Sequence, residues 1–165
     1  MDLTVIPLTS KKKDGKFSFF DELKKIFQKN RFMVKNGDVI VISSKFVSIS
    51  QGRVLNIDNS KICNKAREIS KEFNSSKEFM EIVVRESDEI LGGVTGFVMS
   101  STDGILAPNA GIDKSNSDGM KIILYPNEPY KFAEELKRKI FLEFNFHVGV
   151  IIVDSRLMPA RIGTT

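Results

Sequence analysis

Apolar side chains recur every three to four residues in four segments of the chain, a spacing that predicts amphipathic helices. These segments are residues 18–30, 60–73, 76–91 and 129–145. In the first segment the apolar positions on one face are Phe19, Leu23, Ile26 and Phe27. The glycine pair that follows residue 91 is expected to end the third helix, because glycine is a poor helix former.

Apolar runs between these segments predict strands. Residues 39–42 are a continuous β-branched run, which predicts a strand buried on both faces, and residues 148–153 are predicted to form a buried strand. Residues 45–57 are predicted to form a second extended stretch, with Gly52 as a bulge or turn. Further short strands are predicted at residues 3–8, 94–100, 104–109 and 120–125.

Helices and strands are interleaved in this order, which is typical of an α/β fold of the mixed α+β kind. We therefore expect a mixed sheet with interleaved helices. A length of 165 residues is room for one domain, and no segment has the composition of a linker. Residues 1–165 are therefore expected to form a single domain.

The charge of the chain is distributed unevenly. Residues 1–82 carry 16 Lys and Arg against 10 Asp and Glu, whereas residues 83–165 carry 9 against 11. The basic half is able to attract phosphate groups, although a solvated lysine-rich face is the simpler explanation. The chain has no Trp and no aromatic-rich sheet motif, so we expect no nucleic-acid partner.

Residue counts exclude several other classes of site. Cys63 and His147 are the only residues of their types, which excludes an intramolecular disulfide, a thiolate metal cluster and a His-rich metal site.

No apolar run reaches the ~18 residues that a membrane-spanning helix needs. The N-terminus also lacks the pattern of a signal peptide. We therefore expect a cytoplasmic protein with no membrane partner.

The segment NAGIDKSN at residues 109–116 is the first candidate for a functional site. It places Asp113 in a loop that contains glycine and offers several side-chain oxygens, and hard cations such as Mg²⁺ or Mn²⁺ prefer such ligands. Exposed backbone N–H groups in a loop of this kind can also bind phosphate. A plain turn stabilised by Asn and Asp side chains is the alternative.

Two further candidates follow predicted strands. Asp154 and Ser155 come at the carboxyl end of the run 148–153, and ligands of open α/β sheets bind at that end. Ser44 and Lys45 follow the run 39–42 and offer a hydroxyl and an ammonium group to phosphate. The alternatives are that Asp154 only caps a turn or helix, and that the second segment is a surface hairpin.

The order of these segments resembles the coenzyme F-420 γ-glutamyl ligases, which add glutamate to a deazaflavin coenzyme precursor. The resemblance extends from the first predicted strand to the end of the chain, and NAGIDKSN is its most specific part. The matching segments are IPL at 6–8, NGDVIVISSKFVSISQGRV at 36–54, RESDEIL at 85–91, NAGIDKSN at 109–116 and VGVIIVDSRLMPARIG at 148–163.

This resemblance implies a GTP- and divalent-metal-dependent ligase. GTP would phosphorylate the terminal carboxylate of the coenzyme precursor, and the amine of L-glutamate would attack the acyl phosphate. Asp113 and Asp154 would hold Mg²⁺ or Mn²⁺, and Ser155 would help to hold a second ion. The residues expected to line the GTP site are Ile6, Pro7, Leu8, Thr9, Ser44, Lys45 and Asn116.

The chain also departs from the family pattern. Ile49 stands where the family motif has a lysine, and Gln51 stands where it has an acid. The family continues beyond the length of this chain, so we expect this chain alone to lack a complete active site and to form a homodimer. The alternative to an enzyme is a non-catalytic binding or scaffold domain that retains the fold.

Overall fold

The computed structural model describes residues 3–57, 61–114 and 121–155. Helices and strands are interleaved along the chain, so the predicted mixed α/β class is confirmed. The helices are α1 (Phe19–Lys29), α2 (Ser44–Gln51), α3 (Asn64–Glu72), α4 (Lys77–Glu86) and α5 (Pro129–Phe144). The strands are β1 (Val39–Ser43), β2 (Val54–Asn56), β3 (Glu89–Val94), β4 (Phe97–Thr102), β5 (Ile105–Pro108), β6 (Lys121–Ile123) and β7 (Gly149–Val153).

The strands of the described residues form three small sheets. Strands β1 and β7 are parallel and in register from Val39 opposite Gly149 to Ser43 opposite Val153. Strands β2 and β6 pair antiparallel, and β3, β4 and β5 form an antiparallel meander. Because β1 and β7 are parallel, their carboxyl ends lie side by side.

The largest core packs α1 and α5 against one face of the β1–β7 sheet. Helix α1 carries Asp21 and Glu22 in its first turn and Lys29 in its last, which suits the helix dipole. The buried members of this core are Phe19, Leu23, Phe27, Val34, Ile42, Val47, Leu136, Ile140 and Val148. A second core joins α3, α4 and β4, and Phe79, Met80 and Val83 of α4 are fully buried in it.

The predicted extended stretch at residues 45–57 is wrong, because its first part is helix α2. The β-branched content suggested a strand, but the buried side chains Ser44, Val47 and Ser48 follow helical spacing. Gly52 ends the helix in the left-handed conformation with φ 77°, and its N–H donates to the carbonyl oxygen of Ile49. Only the short strand β2 after Gly52 is extended.

The expectations that β1 is buried on both faces and that β7 is a buried strand are also wrong. Val39 and Val41 of β1 are 56% and 60% exposed. Ile151 and Val153 of β7 are exposed as well, and alternation along a strand places all four side chains on one side of the sheet. We call these four residues the outer face of the β1–β7 sheet.

Two other predicted elements need correction. The third helix ends at Glu86, and the glycine pair lies inside strand β3 rather than ending a helix. A Cβ atom on Gly93 would come within 2.4 Å of the carbonyl oxygen of Phe97, so close pairing of β3 with β4 requires glycine there. Thr95 and Gly96 turn the chain between these strands and divide the predicted strand at 94–100.

Residues 3–8 were predicted to be a strand but lie outside the sheets. Leu3, Val5 and Ile6 are exposed, while Leu8 packs against the largest core. Among the described residues, no helix is long and apolar enough to cross a membrane.

Candidate functional site

The paired ends of β1 and β7 bring Ser44 and Asp154 together. Ser43 and Val153 are the last register partners, so Ser44 and Asp154 are the next residues at the carboxyl ends of two adjacent parallel strands. The Ser44 hydroxyl donates a 2.8 Å hydrogen bond to Oδ1 of Asp154. Ser44 is buried and Asp154 is half-buried, so this contact is partly shielded from water.

A left-handed turn positions Asp113. Asn109, Ala110 and Gly111 form a 3₁₀ turn in which all three residues have positive φ, between 49° and 66°. The Asn109 carbonyl Oδ1 accepts the N–H of Val98 at 3.0 Å, which anchors the turn to β4. A Cβ atom on Gly111 would lie 2.6 Å from a ring carbon of Tyr125, so only glycine fits. The first three residues of the NAGIDKSN motif therefore have a structural role.

Asp113 is fixed to strand β6 and forms an ion pair with α2. Its N–H donates to the carbonyl oxygen of Ile123 at 2.8 Å, and the N–H of Ile123 donates back at 3.0 Å. The Asp113 carboxylate lies 2.5 Å from Nζ of Lys45. Both side chains are close to one-third exposed, so solvent still reaches the pair.

The two aspartates therefore converge on the first turn of α2. Asp154 contacts Ser44, and Asp113 contacts Lys45. Ser44 and Lys45 are consecutive residues, so their Cα atoms are only ~3.8 Å apart. The amino end of a helix favours negative charge. The structure thus brings together four residues that the sequence singled out, although they come from three distant parts of the chain.

Carboxylate and hydroxyl oxygens at this turn fit a hard divalent cation. Mg²⁺ is commonly held by one or two carboxylates together with water and substrate phosphates. No group of three His, Cys, Asp or Glu side chains is placed to hold a metal ion within residues 3–57, 61–114 and 121–155. The described residues offer two carboxylates, Asp113 and Asp154, beside the Ser44 hydroxyl. This set fits a divalent cation that is also bound by water and by the phosphates of a ligand.

The remaining predicted residues follow Asp154 directly, lie near the carboxyl end of α1, or fall outside the described ranges. Ser155 follows Asp154 directly and is exposed. The segment 6–9 is fixed near the carboxyl end of α1, where the side-chain amide of Asn30 donates to the carbonyl oxygen of Thr9 at 3.3 Å. Asn116 lies outside the described residues.

Lys114 follows Asp113 but faces the second core. Its Nζ lies 3.1 Å from the centroid of the Phe79 ring, which is a cation–π contact. Burial lowers the pKa of the Lys114 ammonium group, because removing a charge from water disfavours the charged form. The Asp113 carboxylate therefore faces Lys45 of α2, whereas the Lys114 ammonium group faces Phe79 of the second core.

A cavity of about 560 Å³ borders the Lys45–Asp113 pair. Five lysines line it, namely Lys11, Lys12, Lys13, Lys45 and Lys121. Part of its wall is apolar and includes Ile49. None of the motifs in the sequence gave the lysines of the 11–13 run a role in a site. Their position directly after the predicted nucleotide segment 6–9 is the signal in the sequence that could have identified them.

Gln51 also has a defined role that the sequence did not predict. Its Nε2 donates to the carbonyl oxygen of Asn127 at 2.9 Å, and its Oε1 accepts the N–H of Asn127 at 2.8 Å. A glutamate at this position has no N–H to donate. Gln51, which departs from the family pattern, therefore forms two hydrogen bonds with the segment that leads into α5.

This arrangement suits an enzyme that transfers a phosphoryl group with the help of a divalent cation, because such enzymes act mainly by positioning and by neutralising charge. The chain belongs to the F420-0:Gamma-glutamyl ligase family, whose model matches residues 10–165.

Curated relatives carry the name coenzyme F420:L-glutamate ligase. The relative from Methanococcus maripaludis strain C7 is 34% identical over 137 residues, which cover 82% of this chain and 54% of the relative. The relative from Archaeoglobus fulgidus is 32% identical over 126 residues, covering 76% of this chain and 51% of the relative. The relative from Methanopyrus kandleri is 27% identical over 159 residues, covering 96% and 61%. The chain thus spans about half the length of the curated relatives it matches.

Proposed function

We propose that this chain takes part in GTP- and divalent-metal-dependent ligation of L-glutamate to the deazaflavin coenzyme F-420 or its precursor. Membership of the ligase family supports glutamate ligation in the biosynthesis of this coenzyme. The observation that carries the nucleotide and metal part is the convergence of Asp113 and Asp154 on the first turn of α2.

The proposed reaction has two steps. An oxygen of the acceptor carboxylate attacks the γ-phosphorus of GTP, which forms an acyl phosphate and releases GDP. The amine of L-glutamate then attacks the acyl carbon, inorganic phosphate leaves, and the nitrogen loses a proton to give the amide. Phosphate is the leaving group of the second step, so a carboxylate that is otherwise inert becomes reactive.

Asp113 and Asp154 would hold Mg²⁺ or Mn²⁺, with Ser155 contributing to a second ion. A divalent cation at this place would neutralise charge that develops on the transferred phosphoryl group. Ser44 orients the Asp154 carboxylate through its hydrogen bond. Lys45 supplies an ammonium group beside Asp113 for the phosphate oxygens.

The residues proposed for the rest of the nucleotide site are Ile6, Pro7, Leu8, Thr9 and Asn116. The attachment of Thr9 to Asn30 and the packing of Leu8 against the core support a fixed position for this segment. We also propose that the chain forms a homodimer in the cytoplasm, and the apolar outer face of the β1–β7 sheet supports self-association.

The experiment that tests the proposal measures thermal protection. GTP with Mn²⁺ should raise the melting temperature of the chain, because a ligand that binds the folded state stabilises it. Asp113→Asn and Asp154→Asn should each abolish this rise. Asp103→Asn is the matched control, since Asp103 lies in the exposed β4–β5 turn and asparagine tolerates its positive φ. Full protection of both site variants would reject the assignment.

A non-catalytic scaffold is the second candidate function. The ion pair between Lys45 and Asp113 favours it, because a lysine already neutralises one of the two proposed metal ligands. A scaffold would gain no protection from GTP and Mn²⁺ and would form no product from GTP, L-glutamate and the coenzyme. Thermal protection by GTP with Mn²⁺ separates the two functions, because a chain that lacks a complete active site would release no GDP in either case.

A further inference from the structure

We propose that Lys11, Lys12 and Lys121 bind the phosphate chain of the nucleotide in the cavity beside Asp113. The inference rests on the proposed function and assigns to that reaction three binding residues from the N-terminal segment and strand β6. Neither the sequence motifs nor the family resemblance pointed to them.

The charge of the cavity is the first argument. Five lysines and two aspartates, Asp14 and Asp113, are its charged lining residues. Lys13 forms a 2.7 Å ion pair with Glu22, and Lys45 is paired with Asp113. The lining residues thus carry an excess of three positive charges, or two when Glu22 is counted with its partner Lys13, and such an excess in a concave site is suited to a polyanion rather than to a single carboxylate.

The other three lysines of the cavity differ from Lys13 and Lys45 in their surroundings. Lys11, Lys12 and Lys121 are exposed, and no carboxylate of the described residues forms an ion pair with any of them. They belong to two separate parts of the chain that face the same cavity. Their ammonium groups are therefore available to a ligand without first breaking an ion pair within the described structure.

The cavity lies beside one of the two proposed metal ligands. It borders Lys45 and Asp113, where the proposed cation and the reacting phosphate would meet. Residues 10–14 line it and follow directly on the proposed nucleotide segment 6–9. A phosphate chain held by the lysines would thus extend from the proposed cation towards that segment.

Ile49 leaves one position of the cavity wall on α2 without a charged side chain that could bind phosphate. It contributes an apolar side chain to the cavity wall at the position where the resembling motif has a lysine. Helix α2 therefore supplies no ammonium group from that position. The cationic groups of this chain come from the other boundaries of the cavity, the 11–13 run and the start of β6.

The test compares two double variants that remove the same charge. Lys11→Ala/Lys12→Ala removes two cavity lysines, whereas Lys65→Ala/Lys71→Ala removes two exposed lysines of α3 outside the cavity. Calorimetry of each protein with GTP, and with inorganic tripolyphosphate without metal, gives the dissociation constants. We expect the cavity variant to bind both probes at least fivefold more weakly, and the α3 variant to differ from the unmodified chain by less than twofold. Lys121→Ala should weaken both probes at least twofold.

The outcomes separate this inference from the proposed function. Equal binding by both double variants, or no binding of tripolyphosphate by the unmodified chain, would overturn the lysine assignment and leave the ligase proposal to the Asp113 and Asp154 tests. Lysine-dependent binding of tripolyphosphate together with full thermal protection of the Asp113→Asn and Asp154→Asn variants by GTP and Mn²⁺ would support the lysine site while rejecting the metal-dependent ligase proposal. If only binding of coenzyme F-420 falls in the cavity variant, the cavity belongs to the acid substrate and the phosphate assignment is wrong.

Discussion

Ser44 and Asp154 are 110 positions apart in the chain, yet the hydroxyl of one donates a 2.8 Å hydrogen bond to the carboxylate of the other. The contact follows from the parallel register of β1 and β7, whose last paired residues immediately precede them. The same turn of α2 holds Asp113 through Lys45. The candidate site is therefore built by strand pairing rather than by a local sequence motif.

Removal of the Ser44 hydroxyl should destabilise the fold and the site together. Ser44→Ala leaves the partly buried Asp154 carboxylate without this donor, and the free energy of unfolding should fall by about 2 kcal/mol. Urea denaturation monitored by circular dichroism measures the change. Ser43→Ala is the control, because Ser43 is exposed and its side chain makes no capping hydrogen bond. A similar loss in both variants would contradict the role given to Ser44.

Gly111 should tolerate no side chain. Gly111→Ala places a methyl group 2.6 Å from the Tyr125 ring at φ 66°, so steric overlap adds to backbone strain. We expect a loss of about 3 kcal/mol in the free energy of unfolding. Gly104→Ala has a similar φ of 71° but meets no atom within 4 Å, so strain alone should cost about 1 kcal/mol there. Equal losses in the two variants would show that the Tyr125 contact is unimportant.

The outer face of the β1–β7 sheet should mediate self-association. Sedimentation velocity is expected to show the unmodified chain at twice its mass of 18.6 kDa. Val41→Glu places a charge in the middle of this apolar face and should yield a monomer. Leu142→Glu, at an exposed position of α5, should leave the dimer intact. A monomeric unmodified chain would mean that something other than a second copy covers this face.

Glu81 should make stability depend on pH. The hydrogen bond from the backbone N–H of Cys63, at 2.8 Å, lowers the pKa of Glu81 below its ordinary value of 4.5. A lowered pKa in the folded state adds stability above pH 4.5, and this stability is lost as the pH falls through the folded pKa.

Comparison of the unmodified chain with Glu81→Gln tests this expectation. The melting temperature of the variant should be lower near pH 7, and the difference should shrink as the pH falls below 4.5. Glu68→Gln is the control, because Glu68 is an exposed residue of the neighbouring helix α3. A difference that stays constant with pH would exclude the ionised carboxylate as its source.

Helical periodicity was the most reliable guide to the fold. The prediction for residues 18–30 differs from α1 by one residue at each end, because its apolar stripe is buried against the largest core. Periodicity did not predict α2, because two of its buried positions are the serines Ser44 and Ser48 and its β-branched residues are typical of a strand. Burial on both faces of β1 was predicted from a continuous apolar run, but composition does not say what covers a face.

For the site, the sequence singled out both aspartates together with Ser44 and Lys45, but not the contacts between them. Asp113 and Asp154 were singled out by their segments, whereas the contacts with Ser44 and Lys45 depend on strand register and on a left-handed turn. The role of Asn109 as an acceptor for β4 has no signature in one sequence. Long-range geometry of this kind comes only from the folded chain.

The shared attachment of both aspartates to one helical turn constrains how this protein can change. A one-residue insertion between β1 and α2 would rotate the first turn by about 100° and would displace Ser44 and Lys45 at the same time. Both carboxylates would therefore lose their partners on α2 together. Variation in chain length should therefore accumulate in the loops that flank the site, while the junction between β1 and α2 keeps a fixed length.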